Sequence, residues 1–146
     1  MLMLKNKAIL YSQATESNVG RFEILVIDTV GLLSSLYRYG RFAYIGGGFG
    51  VGIHNILEAA TFGLPVFFGP NYRKFREACQ LVEAGAAFPV TSTESFKQSI
   101  TQLQENPRIW KNASDTAFRY VNKNQGATRK IVDFVFSYNR SIPGIC

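Results

Sequence analysis

The chain has 146 residues, of which 47% are hydrophobic, 14% aromatic and 18% charged, the size and composition of one folded domain with a sizeable core rather than a disordered polymer. Sixteen Lys and Arg against ten Asp and Glu leave a net charge of +6, which favours anionic partners without choosing among nucleotides, phospholipid surfaces and nucleic acid. The longest weakly polar stretch, Phe42 to Ile53, runs 12 residues and contains five glycines, short of the roughly 18–20 apolar residues that a membrane span needs.

Met1 to Lys7 puts its charges after a very short apolar run, the wrong order for a signal peptide, so a cytosolic setting is expected. Cys79 and Cys146 are far apart, and His54 is the single histidine. Neither a zinc site nor a disulfide framework follows from that set, and no metal or cofactor is expected. Basic residues come in small groups, Arg38/Arg41, Arg73/Lys74/Arg76 and Arg129/Lys130, not as a stripe with interleaved aromatics, so no nucleic-acid partner is expected.

Short apolar runs at Ala8–Tyr11, Glu23–Ile27, Phe42–Ile45, Pro65–Phe68 and Ala86–Val90 read as buried parallel strands. Helical spacing fills the intervals. Leu33, Leu36 and Tyr37 form one stripe; Ile53, Ile56, Leu57 and Ala60 predict a helix from about Ile53 that Gly63 ends; Phe75, Ala78, Cys79 and Val82 predict another, closed by Gly85. Thr91-Ser-Thr-Glu94 reads as a capping box before a helix with a buried stripe of Phe96, Ile100 and Leu103. Pro107 opens a helix to about Val121, and Thr128 caps a last one with Ile131, Phe134, Val135 and Tyr138 facing inward. The alternation argues for an α/β domain with a mostly parallel sheet flanked by helices. Ligands of such sheets sit beyond the carboxyl ends of the strands.

One of those ends carries Gly46-Gly-Gly-Phe-Gly-Val-Gly52, five glycines in seven positions. Glycine admits positive φ and close approach to the backbone, and a loop leading into a helix offers free N–H groups to an anion. A P-loop needs Lys-Ser/Thr after Gly52 and meets Ile53-His54; Gly-x-Gly-x-x-Gly fits no register; no Gly-x-Ser-x-Gly elbow exists. Triphosphatase, NAD and hydrolase readings drop out. Asn55 and Glu58 fall one helical turn apart beside His54. The Glu58 carboxylate suits a vicinal diol such as a ribose, and it equally suits an N-cap pair with Asn55. His54 by itself reads as a core or capping histidine as well as a ligand contact. Gly69-Pro-Asn-Tyr72 with Arg73 and Lys74, and Asp28-Thr-Val-Gly31, supply two further strand-end loops to the same expected cleft.

The run from Ala43 to Tyr72, with His54-Asn-Ile-Leu-Glu58 and Gly69-Pro-Asn71 in it and Phe75-Arg-Glu77 after it, strongly resembles the 3-deoxy-D-manno-octulosonic acid (Kdo) transferases of lipopolysaccharide synthesis, in a form like that of Bacteroides-type bacteria. Asp28-Thr-x-Gly31 and Leu36-Tyr37 are similar to the family's segment upstream; where the family often has Glu after that glycine, this chain has Leu32. The resemblance covers roughly Ala8 to Tyr138. It implies a Rossmann-like domain, the carboxy-terminal half of a two-domain (GT-B) glycosyltransferase, truncated on its amino-terminal side.

It further implies a CMP-Kdo donor site with Gly46, Gly47, Gly48 and Phe49 around the phosphate, Glu58 helped by His54 and Asn55 at the ribose, and Gly69, Pro70 and Asn71 close to the nucleotide. Family members are inverting enzymes that need no metal in this half and transfer Kdo to a lipid A precursor on the cytoplasmic side of the inner membrane. The acceptor domain, with the membrane attachment and the catalytic carboxylate, is the other half. No catalytic residue is therefore expected here, and the isolated chain is expected to be inactive. The expected division is 1–7 as a disordered or appended start, 8–138 as the donor domain and 139–146 as a tail, with self-association through an exposed sheet edge. The alternatives are a donor domain for a UDP-sugar and a non-enzymatic basic module for nucleic acid or membrane surfaces.

Overall fold

The computed structural model describes residues 7–140, with side-chain surroundings through Ser137. Of the expected start at 1–7 and tail at 139–146, residues 1–6 and 141–146 lie outside the described residues, as does the side chain of Tyr138. Two compact units divide the chain, Met1–Tyr39 and Gly40–Cys146.

In the first unit, β1 (Ala8–Leu10) and β2 (Ile24–Val26) pair in parallel, with Ala8 opposite Ile24 and Leu10 opposite Val26. A short helix, α1 (Leu33–Leu36), follows. Ser12 ties the two strand ends together: its Oγ donates to Asp28 Oδ2 at 2.5 Å and its backbone N–H donates to Oδ1 at 3.1 Å. These bonds to the ionised carboxyl hold the Asp28 pKa below its ordinary value.

The second unit is a parallel sheet in the order β3-β4-β5, built from Ala43–Tyr44, Val66–Phe68 and Ala87–Pro89, with α2 (Leu57–Thr61) and α3 (Arg76–Glu83) as its crossovers. The five expected strands are thus present, but they fall into two separately paired parallel sheets where the sequence predicts one, and β2, expected to be buried, is exposed at Ile24, Leu25 and Val26. Helices α4 (Thr93–Glu105), α5 (Pro107–Lys123) and α6 (Ala127–Arg140) complete the unit.

β4 is the central strand, and Val66, Phe67 and Phe68 are all buried, as a run apolar on both faces requires. Phe67 anchors one face in a cluster with Val90, Leu103 and Ala113, and the rings of Phe42, Phe88 and Phe96 pack around it. Burying a side chain of that size contributes about 2–3 kcal/mol. α2 meets α5 through small residues, Ala59 and Ala60 against a face that buries Ala113 and Ala117. Trp110 on α5 donates its indole N–H to Arg41 O at 3.0 Å, while the Arg41 guanidinium lies 5.4 Å from the Trp110 ring centre. The start of β3 is thereby fastened to α5.

Three local expectations are corrected. α2 begins at Leu57 rather than near Ile53, because Ile53 is used in a bridge to Gly47 and buried there. The capping box of α4 is Ser92 with Ser95, each side chain reaching the other's backbone N–H, in place of Thr91 with Glu94. α6 starts at Ala127, before Thr128, and Ile131, Phe134 and Val135 are exposed by 63%, 69% and 47%, so they do not face inward. Gly63 and Gly85 end α2 and α3 in left-handed conformation, as expected.

Candidate functional site

The glycine loop leaves β3 and, instead of running straight into a helix, folds back on itself. Gly48 N–H donates to Gly52 O at 2.8 Å and His54 N–H donates to Gly46 O at 3.3 Å, on either side of the Gly47–Ile53 bridge. Gly47 and Gly48 have φ of 84° and 80°, a region that side chains other than glycine's rarely enter. The density of glycine therefore serves a tight reversal. It still leaves donors: among the described residues, the N–H groups of Phe49, Gly50 and Val51 have no backbone partner.

The loop after β4 locks into this reversal. A Cβ on Gly48 would stand 2.7 Å from Gly69 Cα, and one on Gly69 would stand 2.5 Å from the Gly48 carbonyl carbon. No side chain fits between them. Asn71 then fastens the two loops twice, its N–H donating to Gly48 O at 2.8 Å and its Nδ2 donating to Gly50 O at 2.8 Å. Gly52 takes part as well, since a Cβ there would come 2.9 Å from the Phe75 ring.

Asn55 and Glu58 meet before and within the first turn of α2. Asn55 Oδ1 accepts from Leu57 N–H at 3.0 Å, and its Nδ2 donates to Glu58 Oε1 at 2.9 Å. The expected N-cap pair is thereby corrected: the N-cap is Ile56 with no side-chain cap bond, and Asn55 instead makes a local turn bond ahead of the helix while holding the Glu58 carboxylate. Both residues are exposed, so the carboxylate held by Asn55 also faces solvent. His54 is exposed and lies beside Gly46, not in the core.

Of the residues singled out in the sequence, the structure brings Gly46, Gly47, Gly48 and Phe49 together with Gly69, Pro70 and Asn71 around one contact. His54, Asn55 and Glu58 continue from the end of the same glycine loop. Asp28 belongs to the first unit, where Ser12 occupies both of its carboxylate oxygens. Phe49 lines an aromatic hollow of about 570 Å³ with Tyr44, Val90, Ser92, Thr93 and Phe96. Arg73 and Lys74, which the sequence places with the second loop, line a hollow with Gly50 and Asn71, and Gly52 packs against the Phe75 ring.

No protein-family model matches the chain. It is 34% identical over 83 residues to 3-deoxy-D-manno-octulosonic acid transferase of Aquifex aeolicus (strain VF5), which covers 56% of this chain and 24% of that protein. The enzymes of the same name from Rickettsia bellii (strain RML369-C) and Bordetella pertussis are each 30% identical, over 114 and 113 residues, covering 76% of this chain and 26% of theirs. The chain thus spans about a quarter of the length of these curated relatives. Among solved structures, the C-terminal CMP-Kdo binding domain of WaaA from Acinetobacter baumannii superposes with a TM-score of 0.71 at 18% identity, over 82% of this chain and 63% of that one. The fold is therefore that of a GT-B carboxy-terminal domain, as the resemblance implies.

Proposed function

We propose that this chain, which matches the carboxy-terminal portion of a Kdo transferase in sequence and in fold, binds CMP-Kdo as the donor part of a glycosyltransferase. The observation that carries the reading is the locked pair of loops: Gly48 against Gly69, with Asn71 bonded across them, beside the Phe49 N–H, which has no backbone partner among the described residues. Backbone donors fixed before the ligand arrives need no reorganisation when charge builds on a leaving phosphate.

In this reading Gly46, Gly47, Gly48 and Phe49 surround the phosphate, and Glu58, oriented by Asn55 and flanked by His54, accepts hydrogen bonds from the ribose hydroxyls. Gly69, Pro70 and Asn71 hold the glycine loop from behind, close to the nucleotide. The donor portion comprises 8–138. Transfer to a lipid A precursor at the cytoplasmic face of the inner membrane, by an inverting reaction, is assigned to the whole enzyme with its acceptor half, and the 146-residue chain does not catalyse it alone.

Calorimetry with CMP, UMP and AMP tests the donor assignment. Binding of CMP in preference to the other two is expected. Preference for UMP would transfer the reading to a UDP-sugar enzyme, and salt-dependent, sequence-tolerant DNA binding without nucleotide preference would replace it with a basic nucleic-acid module.

A further inference from the structure

Beside the locked loops lies a hollow of about 390 Å³, lined by Gly50, Val51, Pro70, Asn71, Arg73 and Lys74. Its chemistry is one-sided. Two of its walls are the glycine-loop residues Gly50 and Val51, whose N–H groups lack backbone partners among the described residues. Two others are cations, both exposed, and neither Arg73 nor Lys74 forms an ion pair among the described residues. Asn71, the one polar side chain between them, spends its amide on Gly50 O. Backbone donors and cations, none with a partner of its own among the described residues, thus line one hollow in which no carboxylate takes part.

The hollow is also fixed relative to the phosphate loop. Gly50 belongs to both, and the close Gly48–Gly69 approach and the two Asn71 bonds join the loop that leads to Arg73 and Lys74 to the glycine loop. A ligand with two anionic groups a short distance apart would therefore find a prepared place for each.

We propose that Arg73 and Lys74, with the Gly50 and Val51 N–H groups, form an anion subsite that takes the sugar carboxylate of the donor. The inference rests on the reading above that the glycine loop holds the phosphate of CMP-Kdo. An octulosonic acid donor carries a carboxylate on the same carbon that bears the phosphate. Two like charges so close repel unless each is met by its own donors. A guanidinium forks onto a carboxylate, and an ammonium adds a point charge that tolerates displacement. The subsite thereby distinguishes an acid sugar from a neutral one.

The test compares CMP with CMP-Kdo on the full chain and on Arg73→Ala/Lys74→Ala, with unchanged thermal unfolding as the control for folding. The expected result is CMP affinity kept within about twofold and CMP-Kdo affinity lowered about tenfold or more, as the loss of hydrogen bonds to a charged group implies. Retained CMP-Kdo affinity in the double variant overturns the inference. Equal loss for CMP and CMP-Kdo overturns it too, because the cations then serve the phosphate. So does a wild-type chain that binds CMP and CMP-Kdo equally, while the donor reading survives. Binding of neither ligand by the wild-type chain overturns the donor reading and the subsite with it.

Discussion

Gly48 and Gly69 touch backbone to backbone across 21 residues of sequence: a Cβ on the second would lie 2.5 Å from the carbonyl carbon of the first and 2.8 Å from its oxygen. The contact joins the loop after β3 to the loop after β4. It makes the shape of the proposed phosphate site depend on a residue outside the glycine-rich run.

Gly69→Ala is the direct probe, because the residue is buried and its neighbours are backbone atoms that cannot rotate away. The added methyl should cost about 1–3 kcal/mol, the usual range for overpacking. Denaturant unfolding measures that loss. CMP binding should fall with it, since Phe49 Cδ2 would also be only 2.8 Å from the new carbon and must move.

The two roles read at Asn55 and Glu58 separate by mutation. Asn55→Ala removes the acceptor of the Leu57 N–H and should lower stability by about 1 kcal/mol, the typical net worth of one hydrogen bond. Glu58→Ala keeps that bond. It should leave the unfolding midpoint nearly unchanged while weakening CMP binding several-fold in calorimetry. A Glu58→Ala protein that binds CMP like the wild type would reduce Glu58 to Asn55's partner.

Phe67→Ala should be the most damaging core substitution. The ring touches Phe42, Phe88 and Phe96 at centroid distances of 6.2, 5.4 and 5.2 Å and lies on the middle strand, so few neighbours can collapse into its space. A loss of about 3–5 kcal/mol is expected from equilibrium unfolding. Phe67→Leu, which retains most of the volume, should lose less.

Asp28 gives a pH dependence with a defined sign. Its pKa in the folded chain lies below the ordinary aspartate value because the Ser12 hydroxyl, and then the Ser12 N–H, bond to the ionised form. A depressed carboxyl pKa contributes stability above the unfolded value and loses it as pH falls through the folded value. The Ser12–Asp28 clamp should therefore hold at neutral pH and release only in acid. Carboxyl NMR should find Asp28 titrating below an exposed reference aspartate, and Ser12→Ala should move it upward.

Much of the second unit was legible because its apolar runs are short, dense and separated by strong terminators. Val66 to Phe68 could be only a buried strand, and Gly63 and Gly85 stop their helices where the pattern does. Ile53 departs from its sequence pattern for a physical reason: an apolar residue spaced three before Ile56 suits a helix stripe and a buried bridge equally, and the bridge to Gly47 depends on a loop reversal that local periodicity does not encode. The α4 cap differs from the sequence pattern because Glu is the commoner partner, while here the Ser95 hydroxyl takes its place. The α6 stripe was correctly amphipathic, yet amphipathicity does not tell which neighbour covers it; Ile131 stays 63% exposed. At the site, residue types were readable and contacts were not. Gly46 to Gly52 announced a tight backbone, but its meeting with Gly69 and Asn71 is a tertiary event.

The fastening of Trp110 to Arg41 has a practical side. Trp110 is the chain's single tryptophan, and its indole is both bonded to the Arg41 carbonyl and set against a guanidinium. Its emission is thus a built-in optical gauge for the attachment of α5 to the start of β3, the strand from which the glycine loop departs. Melting of that attachment and binding at the loop can be followed in one unlabelled sample, with no probe to be engineered in.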